Sequence, residues 1–266
     1  MKAYKSDPNS VLNRFTGVYC GEALSGKTHC ICTWPNTVVF CFDQDTQTLD
    51  HMPDVHVVLV ESWAEFEEAC LPYIRARAVG RLLKERMGLD EEPLVETIAV
   101  DTMSIASSKL ANEIQGDRDR LRVQDFGTLL NKLTAATVQM TETAKELEEG
   151  QTTYNVLAAT HLSPDTDSSG NVLSISPAIM GQFKKVLPRL FGFCFLTEHR
   201  VATKIINGNA TQVENFVVRT VPPNDLYTCG DRIGGKGDYQ RLPPVTGGTY
   251  PELMKAWGIK EEEENS

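Results

Sequence analysis

The sequence predicts an α/β fold with a mainly parallel central sheet flanked by helices and an antiparallel β-hairpin towards the C-terminus. Three observations carry that expectation. Apolar, β-prone runs alternate with segments of helical apolar spacing, an order that requires right-handed crossovers between parallel strands. The first such run, Phe15 to Cys20, passes into Gly21-Glu22-Ala23-Leu24-Ser25-Gly26-Lys27-Thr28 and then into a short stretch, Thr28 to Trp34, that can be helical before Pro35. Late in the chain, β-prone runs at Phe191 to Glu198 and Phe216 to Val221 flank the turn Ile206-Asn207-Gly208-Asn209.

Gly21 to Thr28 fits G-x-x-x-x-G-K-[ST], with strand, loop and helix in the order that this phosphate-cradling loop requires. Chemistry explains the residue types. Gly21 and Gly26 let the backbone wrap around a polyphosphate, so that consecutive N–H groups and the positive end of the new helix face negative charge. Lys27 is expected at the β- and γ-phosphates and the Thr28 hydroxyl on Mg²⁺. The nucleotide contacts are expected from Gly21, Glu22, Ala23, Leu24, Ser25, Gly26, Lys27, Thr28 and His29. None of these residues identifies the base.

The next strand, Thr37 to Phe42, ends in Asp43-Gln44-Asp45, placing carboxylates at a strand's C-terminal end, where open α/β sheets hold ligands. A further apolar run, Val55 to Val60, precedes Trp63, Phe66, Cys70, Tyr73 and Ile74, whose helical spacing reads as a core stripe that Pro72 bends or divides. After a loop at Leu89 to Pro93, the strand Thr97 to Thr102 carries Asp101 out beside the phosphate loop, the Walker B arrangement that holds a Mg²⁺ shell. The stretch Ser104 to Lys132 mixes Lys109, Arg118, Arg120, Arg122 and Lys132 with Glu113, Asp117, Asp119 and Asp125. It reads either as a solvated helix face or as the best basic patch in the chain. A helix is expected from Phe126 to Glu149, then a strand from Tyr154 to Thr160 ending at His161. Leu162 to Gly170 lacks apolar periodicity and reads as a mobile loop. The hairpin follows, then Gly230-Asp231-Arg232-Ile233-Gly234-Gly235-Lys236-Gly237, a Pro/Gly-rich segment and a short helix around Pro251 to Trp257.

With 266 residues, 41% hydrophobic and 23% charged, the chain can bury one substantial core. The expected organisation is an N-terminal extension at 1–10, one domain at 11–258 and an acidic tail at 259–266. No apolar run approaches the roughly 20 residues of a membrane span and the N-terminus has no signal-peptide apolar region, so a soluble, cytoplasmic protein is expected. Seven cysteines, none in a C-x-x-C pair, read as buried thiols and not as disulfides or a metal site. The net charge of −10 argues against a uniformly basic nucleic-acid surface, and Glu261 to Glu264 contribute to it from a tail that reads as solvated or as a mimic of nucleic acid.

The order of these features resembles phage-encoded RecA-like P-loop ATPases of the single-strand annealing and recombination group, within the wider RecA/DnaB/KaiC-like superfamily. Its carriers are Gly21 to Thr28, Phe42-Asp43-Gln44-Asp45, the strand ending at Asp101, the strand ending Thr160-His161, and Gly230-Asp231-Arg232-Ile233-Gly234, so the resemblance spans about Val11 to Trp257. It implies ATP and Mg²⁺ as cofactors, with Thr28 and Asp101 on the metal. It also implies catalytic roles for Lys27, Asp45, Asp101, His161 and Arg232. Asp45 falls where the family has a glutamate that acts as base toward the attacking water. His161 maps onto the residue that couples the γ-phosphate to the DNA-binding loop. Arg232 matches the arginine of a Lys-Asp-Arg-x-Gly motif that reaches a neighbouring subunit's ATP, whereas Gly230 replaces that motif's lysine, a loss that Lys236 could offset. The implied function is an oligomeric, single-stranded-DNA-binding ATPase in phage recombination or replication. A KaiC-like regulatory or assembly ATPase without DNA binding is the alternative, with a small-molecule kinase third.

Overall fold

A computed structural model describes residues 15–43, 47–52, 54–145, 151–206, 209–227, 230–231 and 242–257. Asp45, Arg232, Lys236, the N-terminal extension and the acidic tail lie outside the described residues.

Ten strands form one sheet: β1 (Thr16–Gly21), β2 (Thr37–Cys41), β3 (Val55–Leu59), β4 (Thr97–Asp101), β5 (Asn155–Thr166), β6 (Val172–Pro177), β7 (Phe193–Ile206), β8 (Asn209–Arg219), β9 (Gly230–Asp231) and β10 (Val245–Gly247). Six of them run parallel in the order β3-β2-β4-β5-β1-β7; β8 and then β10 continue the sheet antiparallel, while β6 pairs with β5 and β9 with β7. The expected mainly parallel sheet with flanking helices and a late hairpin is therefore present.

Alternation along each strand sorts residues onto two buried faces. Val18, Cys20, Val38, Phe40, Ile98, Val100, Val156 and Ala158 face one core, which also takes Trp63, Leu83, Leu110, Leu133 and Phe183. These come from helices α2 (Trp63–Glu65), α4 (Val79–Met87), α5 (Met103–Gln115), α6 (Val123–Glu142) and α7 (Phe183–Leu190). Tyr19, Val39, Cys41, Ala99, Leu157, Ala159, Phe193 and Phe195 face the other, against Cys30 and Ile31 of α1 (Lys27–Cys32) and Leu253 and Met254 of α8 (Tyr250–Ala256). Both faces of β1, β2 and β4 are covered, which is why those segments read as continuous apolar runs.

The stripe beginning at Trp63 is core: Trp63, Phe66, Cys70 and Ile74 are buried. Pro72 does not divide it. A π-helical turn, Phe66–Cys70, joins α2 to α3 (Leu71–Arg75) without a break and lies just before Pro72, whose missing N–H interrupts the helical ladder there.

Three expectations are corrected. The stretch Leu162 to Gly170 is not an open loop: β5 continues to Thr166 and turns back into β6, pairing Leu162 with Pro177 and Asp165 with Ser174. The helix expected over Phe126 to Glu149 instead begins at Val123, where the Asp125 carboxylate accepts the Arg122 N–H at 2.7 Å, and ends at Glu142. The basic stretch is not one helix face, because Arg118, Arg120 and Arg122 lie in the connection between α5 and α6. The β7–β8 hairpin is longer than its apolar runs suggest, with eleven pairs from Leu196↔Arg219 to Ile206↔Asn209; the expected turn at Asn207-Gly208 lies outside the described residues.

Candidate nucleotide site

The site forms where β1 ends and α1 begins. Gly26 takes φ +86°, a left-handed conformation natural to glycine, and turns the chain into α1. Loop residues Glu22, Ala23 and Leu24 are exposed, while Ser25 and Lys27 are buried. The Lys27 ammonium folds back onto the carbonyls of Gly21 and Glu22, at 3.1 and 2.6 Å. Burial lowers its pKa, and Asp101 opposes that shift.

β4 pairs directly with β2 and β5, and its last residue, Asp101, meets α1 across the sheet edge. Thr28 Oγ1 donates to Asp101 Oδ2 at 2.7 Å. The other oxygen, Oδ1, is buried with no hydrogen-bond partner among the described residues. Burial raises the Asp101 pKa, with the Thr28 hydrogen bond and Lys27 pulling the other way. An orphaned carboxylate oxygen beside a threonine hydroxyl is a hard-oxygen donor set, and it fits Mg²⁺. The loop's amides and Lys27 fit the phosphates that would accompany it.

β5 lies between β1 and β4, which sets Gly21 opposite His161. His161 donates its main-chain N–H to Ser104 Oγ at 2.9 Å, and that oxygen also bonds Thr160 Oγ1 at 2.9 Å. Burial and then Lys27 lower the His161 pKa, while Asp43 raises it. These effects favour the neutral imidazole, which lies within electrostatic reach of the loop lysine. Asp43, two residues beyond β2, raises the Asp101 pKa slightly and so lies within electrostatic reach of the site.

The structure thus brings together Gly21, Ser25, Gly26, Lys27, Thr28, Asp101 and His161, with His29, the next residue of α1 after Thr28, against the Phe216 ring. Asp45 and Arg232 fall outside the described residues. Sequence reading missed the parts played by Ser104, in the first turn of α5, and by Thr197, which follows the apolar run of β7; both are buried. A hydroxyl ending an otherwise apolar run was the available signal for Thr197.

Arg118 is committed elsewhere. Its guanidinium pairs with Asp125 at 2.7 Å, bonds the carbonyl of Gln115 at 2.8 Å and bonds that of Ile114, so it closes the turn between two helices. The six described cysteines are buried and none is in a disulfide among the described residues. Burial pushes Cys30 and Cys32 up to about 12 and Cys41 and Cys70 up to about 11, which leaves them unreactive. No helix among the described residues is long and apolar enough to cross a membrane.

Comparison with known proteins agrees with this geometry. A search of curated proteins gave no match. A family model described as AAA domain matches residues 14–232, from just before β1 through both hairpins to the Gly-Asp-Arg segment. That match covers well over half of the chain and includes every site residue placed above, so the chain belongs to the AAA-domain family of P-loop ATPases.

Proposed function

We propose that this protein is a Mg²⁺-dependent ATPase of the RecA-like, phage-encoded recombination group, assembling through its ATP sites and binding single-stranded DNA. The observation that carries the ATPase reading is the Thr28–Asp101 hydrogen bond with its orphaned second oxygen, set beside a lysine held on the loop carbonyls. Bound Mg²⁺ would neutralise phosphate charge as the terminal bond breaks. Lys27 would hold the β- and γ-phosphates, and the loop amides would fix their orientation. Asp45, two residues past the described Asp43, would orient the attacking water. His161, beside Gly21 and favoured in its neutral form, would sense the terminal phosphate through the β5 strand end. Arg232 from a neighbouring subunit would offset transition-state charge.

The DNA reading rests on the sequence resemblance and on Arg120 and Arg122 in the exposed α5–α6 connection. Arg118 is no longer available to it, and that loss favours the second reading, a KaiC-like regulatory or assembly ATPase whose nucleotide state switches partner contacts. ATPase rate with and without single-stranded DNA, alongside mass with and without nucleotide, separates the readings. Stimulation by DNA and nucleotide-dependent assembly are expected. Turnover with neither DNA stimulation nor DNA binding at low salt selects the regulatory reading, and absence of turnover under all conditions overturns both.

A further inference from the structure

The β7–β8 hairpin grips the phosphate loop at both ends, although nothing in the loop motif asks for it. β7 runs parallel to β1 with Cys20 opposite Leu196, so the next residue, Thr197, arrives beside the first loop glycine. Thr197 is 3% exposed. Its Oγ1 lies 3.2 Å from the Cys20 carbonyl and 2.7 Å from Ser25 Oγ. A carbonyl only accepts, so Thr197 donates its single proton to Cys20, and Ser25 donates to Thr197. A Cβ at Gly21 would collide with both of these hydroxyl oxygens. In this chain, then, Gly21 must lack a side chain for the hydroxyl pair to close as well as for any phosphate to approach.

The other end of the loop meets β8. The Phe216 ring lies where a Cβ on Gly26 would have to go, with its centroid 5.0 Å from the His29 ring and 5.3 Å from that of His199. His199 and Phe216 are cross-strand partners, so one hairpin supplies both contacts. Ser25 occupies a position that the loop motif leaves free, and its burial comes from Thr197.

We propose that Thr197 and Phe216 are positioning residues that hold the phosphate loop in its binding shape, Thr197 acting through the Ser25 hydroxyl. This rests on the nucleotide reading above. Without the hydroxyl pair the buried half of the loop loses its tie to the sheet, and the amides that face phosphate must be ordered at the moment of binding. The loss should fall on nucleotide affinity more than on turnover at saturation.

Equilibrium titration of the full chain with a fluorescent ATP analogue and Mg²⁺ tests it. Thr197→Val keeps the shape and removes the hydroxyl; it should weaken binding about tenfold. Its melting temperature should fall no more than that of Thr197→Ser, which should bind like the wild type. Ser25→Ala, which removes the Ser25–Thr197 bond but keeps the Thr197–Cys20 bond, should also weaken binding, and the double variant should lose no more than Thr197→Val alone, because that variant already breaks the bond Ser25 makes. With ATP, KM should rise while kcat is nearly kept. Wild-type affinity in Thr197→Val, or additive losses in the double variant, overturns the proposal. If Thr197→Val does not fold, the contrast between Ser25→Ala and Thr197→Ser decides in the same way. A wild-type protein that binds no nucleotide overturns the ATPase reading itself, and the clamp with it, so the two failures are distinct.

Discussion

The two strands that flank β1 both outrun the parallel sheet and fold back as hairpins, yet they serve the site differently. β5 passes its polar end, Thr160 and His161, along the loop and then pairs with β6 over five residue pairs. Its extension is tied down locally: Asp165 bonds Lys184 of α7 and accepts from Ser174 and Ser176 of β6 at 3.0 and 3.2 Å. β7 instead locks the loop through Thr197, and its hairpin is anchored at the root by Glu198, which binds Arg219 and Arg200. Farther out, Val201 and Ile205 are 54% and 79% exposed. One hairpin delivers a titratable side chain to the phosphate end of the site; the other sets the shape of the loop. On the proposed reading, neighbouring strands of one sheet divide sensing from positioning, because β5 brings His161 opposite Gly21 while the β7–β8 hairpin brings Thr197 and Phe216 against the loop.

The largest effect is expected at the base that both hairpins share. Lys27→Ala removes the cation between the loop carbonyls and the phosphates, and turnover should fall on the order of a hundredfold or more. Asp101→Asn should shift the Mg²⁺ dependence to higher concentration, since the orphaned oxygen loses its charge. Both are read by steady-state ATPase assays with circular dichroism as a fold control. Wild-type turnover in Lys27→Ala would remove the site from which the comparison starts.

Next in size is the contrast between His161 and Thr197. His161→Asn should lower kcat about tenfold, the order expected for losing one hydrogen bond to developing charge, with nucleotide affinity kept. Thr197→Val should do the reverse. If both variants change affinity alone, the two hairpins do the same job and the division fails.

How much of this was legible in the sequence depends on the range of each interaction. The phosphate loop, Asp101 and the apolar strands are patterns written within a few residues, and each fell where expected. The Thr197–Ser25 bond joins residues 172 positions apart, so no local pattern records it. The β5–β6 hairpin was hidden for another reason. Beyond His161 the strand leaves the cover of the helices, and Ser163, Pro164, Asp165 and Thr166 are partly or fully exposed. Without a buried face there is no alternation of apolar and polar residues, and a paired strand reads as a loop. The start of α6 was missed similarly, because Asp125 caps the helix while Val123 is 91% exposed. Asn207-Gly208 advertised the other hairpin, whose outer residues carry no stronger apolar pattern.

The smallest effect is expected at Asp165, and it sharpens the comparison most. The Lys184 hydrogen bond, followed by those from Ser174 and Ser176, holds the Asp165 carboxyl below its ordinary range. A carboxylate with a depressed folded-state pKa contributes stability above its unfolded value, about 4, and loses it as pH falls through the lower folded value. Because the pair is partly solvated, its contribution is modest. Asp165→Asn should therefore lower the melting temperature by roughly 1–3 °C at pH 7, and the difference from wild type should shrink as pH falls below the unfolded value and through the depressed folded one. Amide exchange should quicken in β6 and at the N-terminal end of α7 and stay unchanged in the phosphate loop. Nucleotide affinity should not move, since Asp165 lies four residues beyond His161 and its bonds all stay within the β5–β6–α7 corner. An affinity loss in Asp165→Asn as large as that in Thr197→Val would mean that the β5 hairpin also shapes the loop, and the distinction between a sensing strand and a positioning strand would collapse.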